Sequence, residues 1–206
     1  YRSNPAEVGV ICDAIATPYK VNRRTATQAG ETVAVFGGGG GLGLHQVMLS
    51  SWVGARVIAI DTKPAKFGAC RTAGADTVLD ASSVDIAEAL SDLTKGRGVD
   101  VAIDYVSTKE TLSQAVRGLG VRGRMVTLGG DAEVFELDAR QLLLKEAEVL
   151  GSRYVSYDEV KASLALVAKG EIWPVVSVIR SLAEAETVHE LVENGEVVGR
   201  AALLVG

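Results

Sequence analysis

The run Thr32-Val33-Ala34-Val35-Phe36-Gly37-Gly38-Gly39-Gly40-Gly41-Leu42-Gly43-Leu44 constrains the fold more than any other stretch of this chain. A short apolar strand empties into a glycine loop, and the loop opens a helix. The first N–H groups of a helix have no intrahelical partner and lie at the positive end of its dipole, so such a junction receives anions. Glycines suit it because a Cβ would block the tight turn and hold a phosphate away from those N–H groups. The spacing fits G-x-G-x-x-G through Gly38, Gly40 and Gly43. It fits G-x-x-G-x-x-G through Gly37, Gly40 and Gly43 equally well, and the sequence does not choose between the two.

Downstream, a second apolar strand, Arg56-Val57-Ile58-Ala59-Ile60, ends in Asp61. A glycine loop between strand and helix, followed by a strand that ends in an acid, is the context of a dinucleotide-binding βαβ unit. Asp61 can accept hydrogen bonds from both ribose hydroxyls. Its charge repels a 2′-phosphate, which favours NAD over NADP. An acid just ahead of Pro64 can also cap the following helix, so a capping role stays open beside the ribose role.

The same rhythm continues along the chain. Strands are predicted at 32–36, 56–60, 76–79, 99–105, 123–128 and 147–150, and helices at 42–53, 64–72, 84–94, 108–118 and 138–145. This alternation predicts an α/β fold, a Rossmann-type doubly wound six-stranded parallel sheet. A composition of 48% hydrophobic but only 5% aromatic residues suits strands buried on both faces by Val, Ala, Leu and Ile. Pro64 falls in a first helical turn, Gly74 just past a helix end, and Ser107 with Glu110 at capping-box spacing. At the ends, residues 5–27 read as helical with a break near Thr17-Pro18. Residues 173–179 read as a strand, 181–193 as a helix with Ser181 and Glu184 in capping-box spacing, and 199–205 as a final strand.

A net charge of −5 argues against a nucleic-acid partner. No apolar run is long enough to span a bilayer, and no signal-peptide pattern is expected. Two cysteines, Cys12 and Cys70, make no disulfide framework and cannot build a four-cysteine zinc lobe, which points to a reducing cytoplasm.

With these residues in view, the chain resembles the cofactor-binding half of the medium-chain dehydrogenase/reductase superfamily, of the zinc-type alcohol dehydrogenase kind. The resemblance runs through Glu31–Gly37, Gly54–Asp61, Ala73–Asp76, Gly96–Asp104, Gly123–Gly129 and Gly195–Ala201, and so spans nearly all of residues 10–206. It implies an NAD-dependent oxidoreductase that moves hydride between an alcohol or carbonyl substrate and the nicotinamide, acting as a homodimer or homotetramer. It further implies that the family's N-terminal catalytic domain is missing here. On that reading residues 1–15 are a remnant of the junction, 16–169 the NAD-binding domain, and 170–206 a segment returning to the catalytic domain. The start at Tyr1 fits a fragment, and apolar surface meant for the absent half is expected on 5–27 and 174–179.

The resemblance also assigns roles by position. Gly40, Gly41 and Leu42 meet the pyrophosphate and the nicotinamide end. Lys66 lies beside the adenine ribose. Val106 and Leu128 to Gly130 border the nicotinamide, Thr17 touches it, and Arg200 reaches the pyrophosphate. Asp13 stands where relatives carry a cysteine zinc ligand, with Cys12 one residue earlier, so zinc in the intact enzyme would use Asp13. Neither His45 nor His189, which is remote in the chain from the other candidates, is assigned a catalytic role. Tyr154, Tyr157 and Trp173 read as packing or surface residues. Two alternatives stay open: a zinc-free quinone or enoyl reductase of the same superfamily, and a non-catalytic NAD-binding module.

Overall fold

Six strands form one parallel sheet in the computed structural model, which describes residues 4–129 and 133–205. They are β1 (Thr32–Phe36), β2 (Arg56–Asp61), β3 (Thr77–Asp80), β4 (Val99–Asp104), β5 (Leu119–Thr127) and β6 (Glu148–Gly151). Their spatial order is β3-β2-β1-β4-β5-β6, every neighbouring pair being parallel. The doubly wound sheet is therefore present, and the direction of winding reverses between β1 and β4. Ligand crevices lie at the carboxyl ends of strands at such a reversal. The carboxyl end of β1 is the glycine loop.

The alternation of side chains across β1, β2 and β4 divides the core in two. Val33, Val35, Val57, Ala59, Val101 and Ile103 face α3 (Gly43–Val53), the N-terminal helical run and α8 (Tyr157–Ala168). Ala34, Phe36, Ile58, Ile60 and Ala102 face α5 (Ile86–Leu93) and α6 (Lys109–Gly118). Both faces are covered, which is why these strands read as continuous apolar runs.

At the N-terminus, α1 (Pro5–Val10) and α2 (Ala16–Arg24) are joined by a π-turn, Ile11–Ile15. The break anticipated at Thr17-Pro18 is absent. Pro18 has no N–H to give, and its ring crowds the carbonyl of the residue four back. The irregularity is absorbed upstream, where the Ala16 N–H reaches back to the Ile11 carbonyl. This leaves Pro18 in the first turn of α2, where a missing N–H costs nothing. The apolar face of this run is not left bare either: Ile11, Ile15 and Val21 are buried in the core. Exposed apolar side chains at the two ends include Val8 of this run, and Trp173, Leu182, Val192, Leu204 and Val205.

One local reading shifts, and one helix is added. The N-cap of α6 is Thr108, boxed with Thr111, and not Ser107 with Glu110. Asp104 accepts N–H groups from Val106 and Ser107, which curls the chain so that Ser107 takes a φ of 61° and the helix starts one residue later. Helix α8 follows β6 behind a capping box of Ser156 and Glu159. The remaining helices are α4 (Phe67–Thr72), preceded by a 3-10 turn at Pro64–Lys66, α7 (Ala139–Lys145) and α9 (Ala185–Glu193). The C-terminal strands β7 (Val176–Ser181) and β8 (Arg200–Leu204) pair parallel in a separate two-stranded sheet, with α9 between them in the chain. Among the described residues no helix is long and apolar enough to cross a membrane.

Candidate functional site: the glycine loop and its cleft

The loop between β1 and α3 is built as a tight turn. Gly37 has a φ of 73°, and its carbonyl accepts the Gly40 N–H at 3.0 Å. Gly38 donates to the Ile60 carbonyl at 2.9 Å, and a Cβ placed on it would stand 3.1 Å from that of Ala59. Gly38 thus lies against β2, behind the turn. A Cβ on Gly43 would fall 2.0 Å from the Gly37 oxygen, so only glycine lets α3 come this close to the strand end. The positive φ and the close approach fall on Gly37 and Gly43, the spacing of the longer glycine pattern. No backbone acceptor takes the N–H groups of Gly41 or Leu42 among the described residues. These are the free donors a phosphate needs.

Asp61 ends β2 beside this turn and is buried. One carboxylate oxygen accepts the Gly39 N–H at 2.9 Å and the other the Lys63 N–H at 3.0 Å. Each oxygen retains a lone pair. Asp61 does not cap the turn at Pro64–Lys66, whose cap residue is Lys63. The methylene stem of its neighbour Lys66 is buried over Gly39, where a Cβ would meet the Lys66 Cβ at 2.5 Å.

A cleft of about 600 Å³ opens here, and Gly40, Gly41, Leu42, Gly43, Asp61, Lys66, Val106 and Arg200 all line it. Gly38, Thr17 and Leu128 do not. Leu128 packs against the core, and its N–H goes to the Asp104 carbonyl. Gly130 lies outside the described residues. Sequence reasoning missed Tyr105, Thr111 and Val192, which also line the cleft. Tyr105 ends the apolar run of β4, and that position was its one signal. A second cavity of about 690 Å³ adjoins the first and shares Gly40, Gly41, Lys66 and Arg200; His189 lines it, so this histidine stands beside the loop despite its distance in sequence.

Arg200 crosses from β8 to the loop, its guanidinium lying where a Cβ of Gly41 would be. Its tip forms a salt bridge with Asp13, whose other oxygen accepts the Thr17 hydroxyl at 3.2 Å. Both carboxylate oxygens of Asp13 are therefore engaged. Cys12 is exposed and directs its thiol at the Gly9 carbonyl. Among the described residues no three His, Cys, Asp or Glu side chains gather to hold a metal. The described donors around Asp13 do not by themselves fit a zinc ion.

Beneath the loop, His45 is wholly buried. Its Nε2 accepts the Val175 N–H at 2.9 Å, so the ring proton is on Nδ1 and is donated to the Gly41 carbonyl at 2.7 Å. Burial pushes its pKa down to about 4, keeping the ring neutral. Next to it Gln46 accepts the Tyr105 hydroxyl at 2.8 Å and donates to Asn22 and Ser50 at 2.7 and 2.8 Å. This network ties the end of β4 to α3 and α2. Burial, aided by the negative charge of Asp13, pushes the Tyr105 phenol well above its ordinary value.

A doubly wound parallel sheet with a glycine turn after β1 and an acid at the end of β2 defines a Rossmann domain. Comparison with known proteins narrows this class. The chain belongs to the zinc-binding dehydrogenase family, whose model matches residues 41–169. An NAD-dependent alcohol dehydrogenase of Sulfurisphaera tokodaii is 30% identical over 194 residues, which are 94% of this chain and 56% of that protein. The alcohol dehydrogenase of the archaeon Aeropyrum pernix superposes with a TM-score of 0.85 at 33% identity, over 97% of this chain and 56% of that one. A 2-octenoyl-CoA carboxylase reductase, CinF, solved with NADP and 2-octenoyl-CoA, superposes with a TM-score of 0.86 at 25% identity, covering 97% and 49%. The chain thus spans about half to three fifths of the length of these relatives. The likeness to the cofactor-binding half of zinc-type alcohol dehydrogenases is borne out.

Proposed function

We propose that this chain is the NAD-binding part of an alcohol dehydrogenase-type oxidoreductase. The observation that carries the reading is the placement of Asp61 beside the glycine turn, buried and held by two backbone N–H groups. A carboxylate fixed in that way offers its remaining lone pairs to the ribose hydroxyls and repels a 2′-phosphate. The free N–H groups of Gly41 and Leu42, with Lys66 and Arg200 nearby, receive the pyrophosphate. Val106 borders the nicotinamide end. When bound, the dinucleotide supplies hydride transfer at its nicotinamide ring. The contribution of these residues is to bind and orient it. The reading also takes the cytoplasm as the compartment, a homodimer or homotetramer as the assembly, and an alcohol or carbonyl compound as the substrate.

Calorimetric titration with NADH and NADPH tests this. NADH should bind at least tenfold tighter, since a buried carboxylate facing a phosphate dianion costs more than 1.4 kcal/mol. Tighter binding of NADPH would overturn the reading of Asp61.

A second reading is a zinc-free quinone or enoyl reductase of the same superfamily. It is favoured by Asp13, which is engaged by Arg200 and Thr17 at the position where the family resemblance implies a zinc ligand. Metal analysis of the intact protein separates the two, with stoichiometric zinc supporting the alcohol dehydrogenase.

A further inference from the structure

Four residues close a ring beneath the cleft. The Gly41 carbonyl accepts from His45 Nδ1, and His45 Nε2 accepts from the Val175 N–H. The Val175 carbonyl accepts from the Arg200 N–H at 2.9 Å. The Arg200 side chain then returns to Gly41. The loop side of this ring follows β1 of the six-stranded sheet, whereas Arg200 opens β8 and Val175 immediately precedes β7. Two side chains in the ring span the two: Arg200, which reaches over Gly41 from the C-terminal side, and His45, which hydrogen-bonds both sides from beneath. We propose that His45 is a positioning residue: through Val175 it holds Arg200 at the height over Gly41 at which the arginine meets a pyrophosphate. This rests on the dinucleotide reading given above.

Several observations converge on it. The imidazole is completely buried, so its two hydrogen bonds have no water to replace them. One nitrogen must donate and the other accept, and a neutral ring of one tautomer satisfies both. Leu, Val or Met at this position would pack as well but would leave the Gly41 carbonyl and the Val175 N–H unpaired. A second tie, from the Gly199 N–H to the Gly39 carbonyl, is longer at 3.3 Å and lies one residue before Arg200, so it cannot replace the first. His45 never touches the cleft itself and acts only through Val175 and Arg200.

A double-mutant cycle on the full chain tests this, with ADP-ribose as the probe and calorimetry as the readout. His45→Leu and Arg200→Gln should each weaken ADP-ribose by about tenfold, as expected for one lost charge-assisted contact. The double variant should be no more than about twofold weaker than Arg200→Gln alone, because both changes remove the same contact. His45→Gln, whose amide can both donate and accept at the right reach, should restore affinity to within about threefold of the parent. Adenosine, which has no phosphate, should bind all variants alike. Fully additive losses, or parental affinity in His45→Leu, would overturn the proposal. Amide hydrogen exchange supplies a readout without ligand: Val175 and Arg200 should exchange faster in His45→Leu and at the parental rate in His45→Gln. If the parent takes up no ADP-ribose, the dinucleotide reading fails. Unchanged exchange at Val175 and Arg200 in His45→Leu would sink the His45 assignment separately. If His45→Leu does not fold, His45→Asn takes its place in both experiments, since its amide is one carbon too short to reach Val175.

Discussion

Arg200 and Asp13 are joined by a salt bridge across 187 residues of sequence, linking the C-terminal strand β8 to the π-turn near the N-terminus. The pair is half exposed, so it adds little stability. Its effect is on the cleft, where Asp13 competes with an incoming phosphate for the same guanidinium. Asp13→Asn should therefore raise NADH affinity about threefold, the scale of one exposed ion pair. Fluorescence titration of NADH reads this directly, and weaker binding in the variant would show that Asp13 orients Arg200 for the ligand and does not compete with it.

Gly43 and Gly68 both sit in helices but face opposite surroundings. A Cβ at Gly43 would lie 2.0 Å from the Gly37 oxygen, whereas a Cβ at Gly68 meets nothing within 4 Å. Gly43→Ala should destabilise the fold by about 3 kcal/mol and lower Tm by roughly 6–12 °C. Gly68→Ala should stabilise it by about 0.5–1 kcal/mol through helix propensity. Thermal melts followed by circular dichroism distinguish the two, and equal behaviour would contradict the close packing at Gly43.

The burial of His45 makes stability depend on pH. In the folded chain its pKa falls from 6.5 to about 4, chiefly through burial. Between those values the unfolded chain binds a proton that the folded one refuses. The stabilisation is complete above the unfolded value and shrinks as pH falls toward the folded one, by roughly 3 kcal/mol in all. Urea melts at pH 7 and pH 5 should show this loss in the parent. His45→Gln should lack that part of the pH slope, and a variant with an unchanged slope would place its origin elsewhere.

The two thiols should differ in reactivity. Cys12 is exposed, while Cys70 is buried and its thiol is pushed up to about 11, mainly by burial. At pH 8 a disulfide reagent such as DTNB should label one thiol per folded chain rapidly, and two once denaturant is added. Rapid labelling of both in the native protein would contradict the packing around α4.

The parts of the fold that could be read from sequence are those made of neighbours. The strand, the glycines, α3 and Asp61 lie within one βαβ unit, and each carries a local reason for its place. The register of the glycines needed the structure, because a run of identical residues has no internal landmark. Ser107 was misread because its conformation is set by Asp104, an acid that acts through a turn and not through helix-cap spacing. Helix α8 had a readable signal in Ser156 and Glu159 that was not taken up. Contacts that join distant segments left no trace in any window: Val175 with His45, Asp13 with Arg200, His189 beside the loop. Leu128, a position inferred from likeness, is partly buried against the core and does not line the cleft.

The two-stranded ribbon of β7 and β8 has a consequence for how this cleft tolerates change. A sheet of two strands is marginal alone and depends on what it leans against. The glycine turn and Asp61 are rooted in the six-stranded sheet, so a substitution that harms them also harms the fold. Arg200 is carried by the ribbon, whose ties to the loop include the Gly199 N–H on the Gly39 carbonyl and the Val175 N–H on His45. One wall of the cleft can thus be retuned at small cost in stability while the other cannot, and variation in ligand grip is open to β7, α9 and β8 long before it is open to the loop.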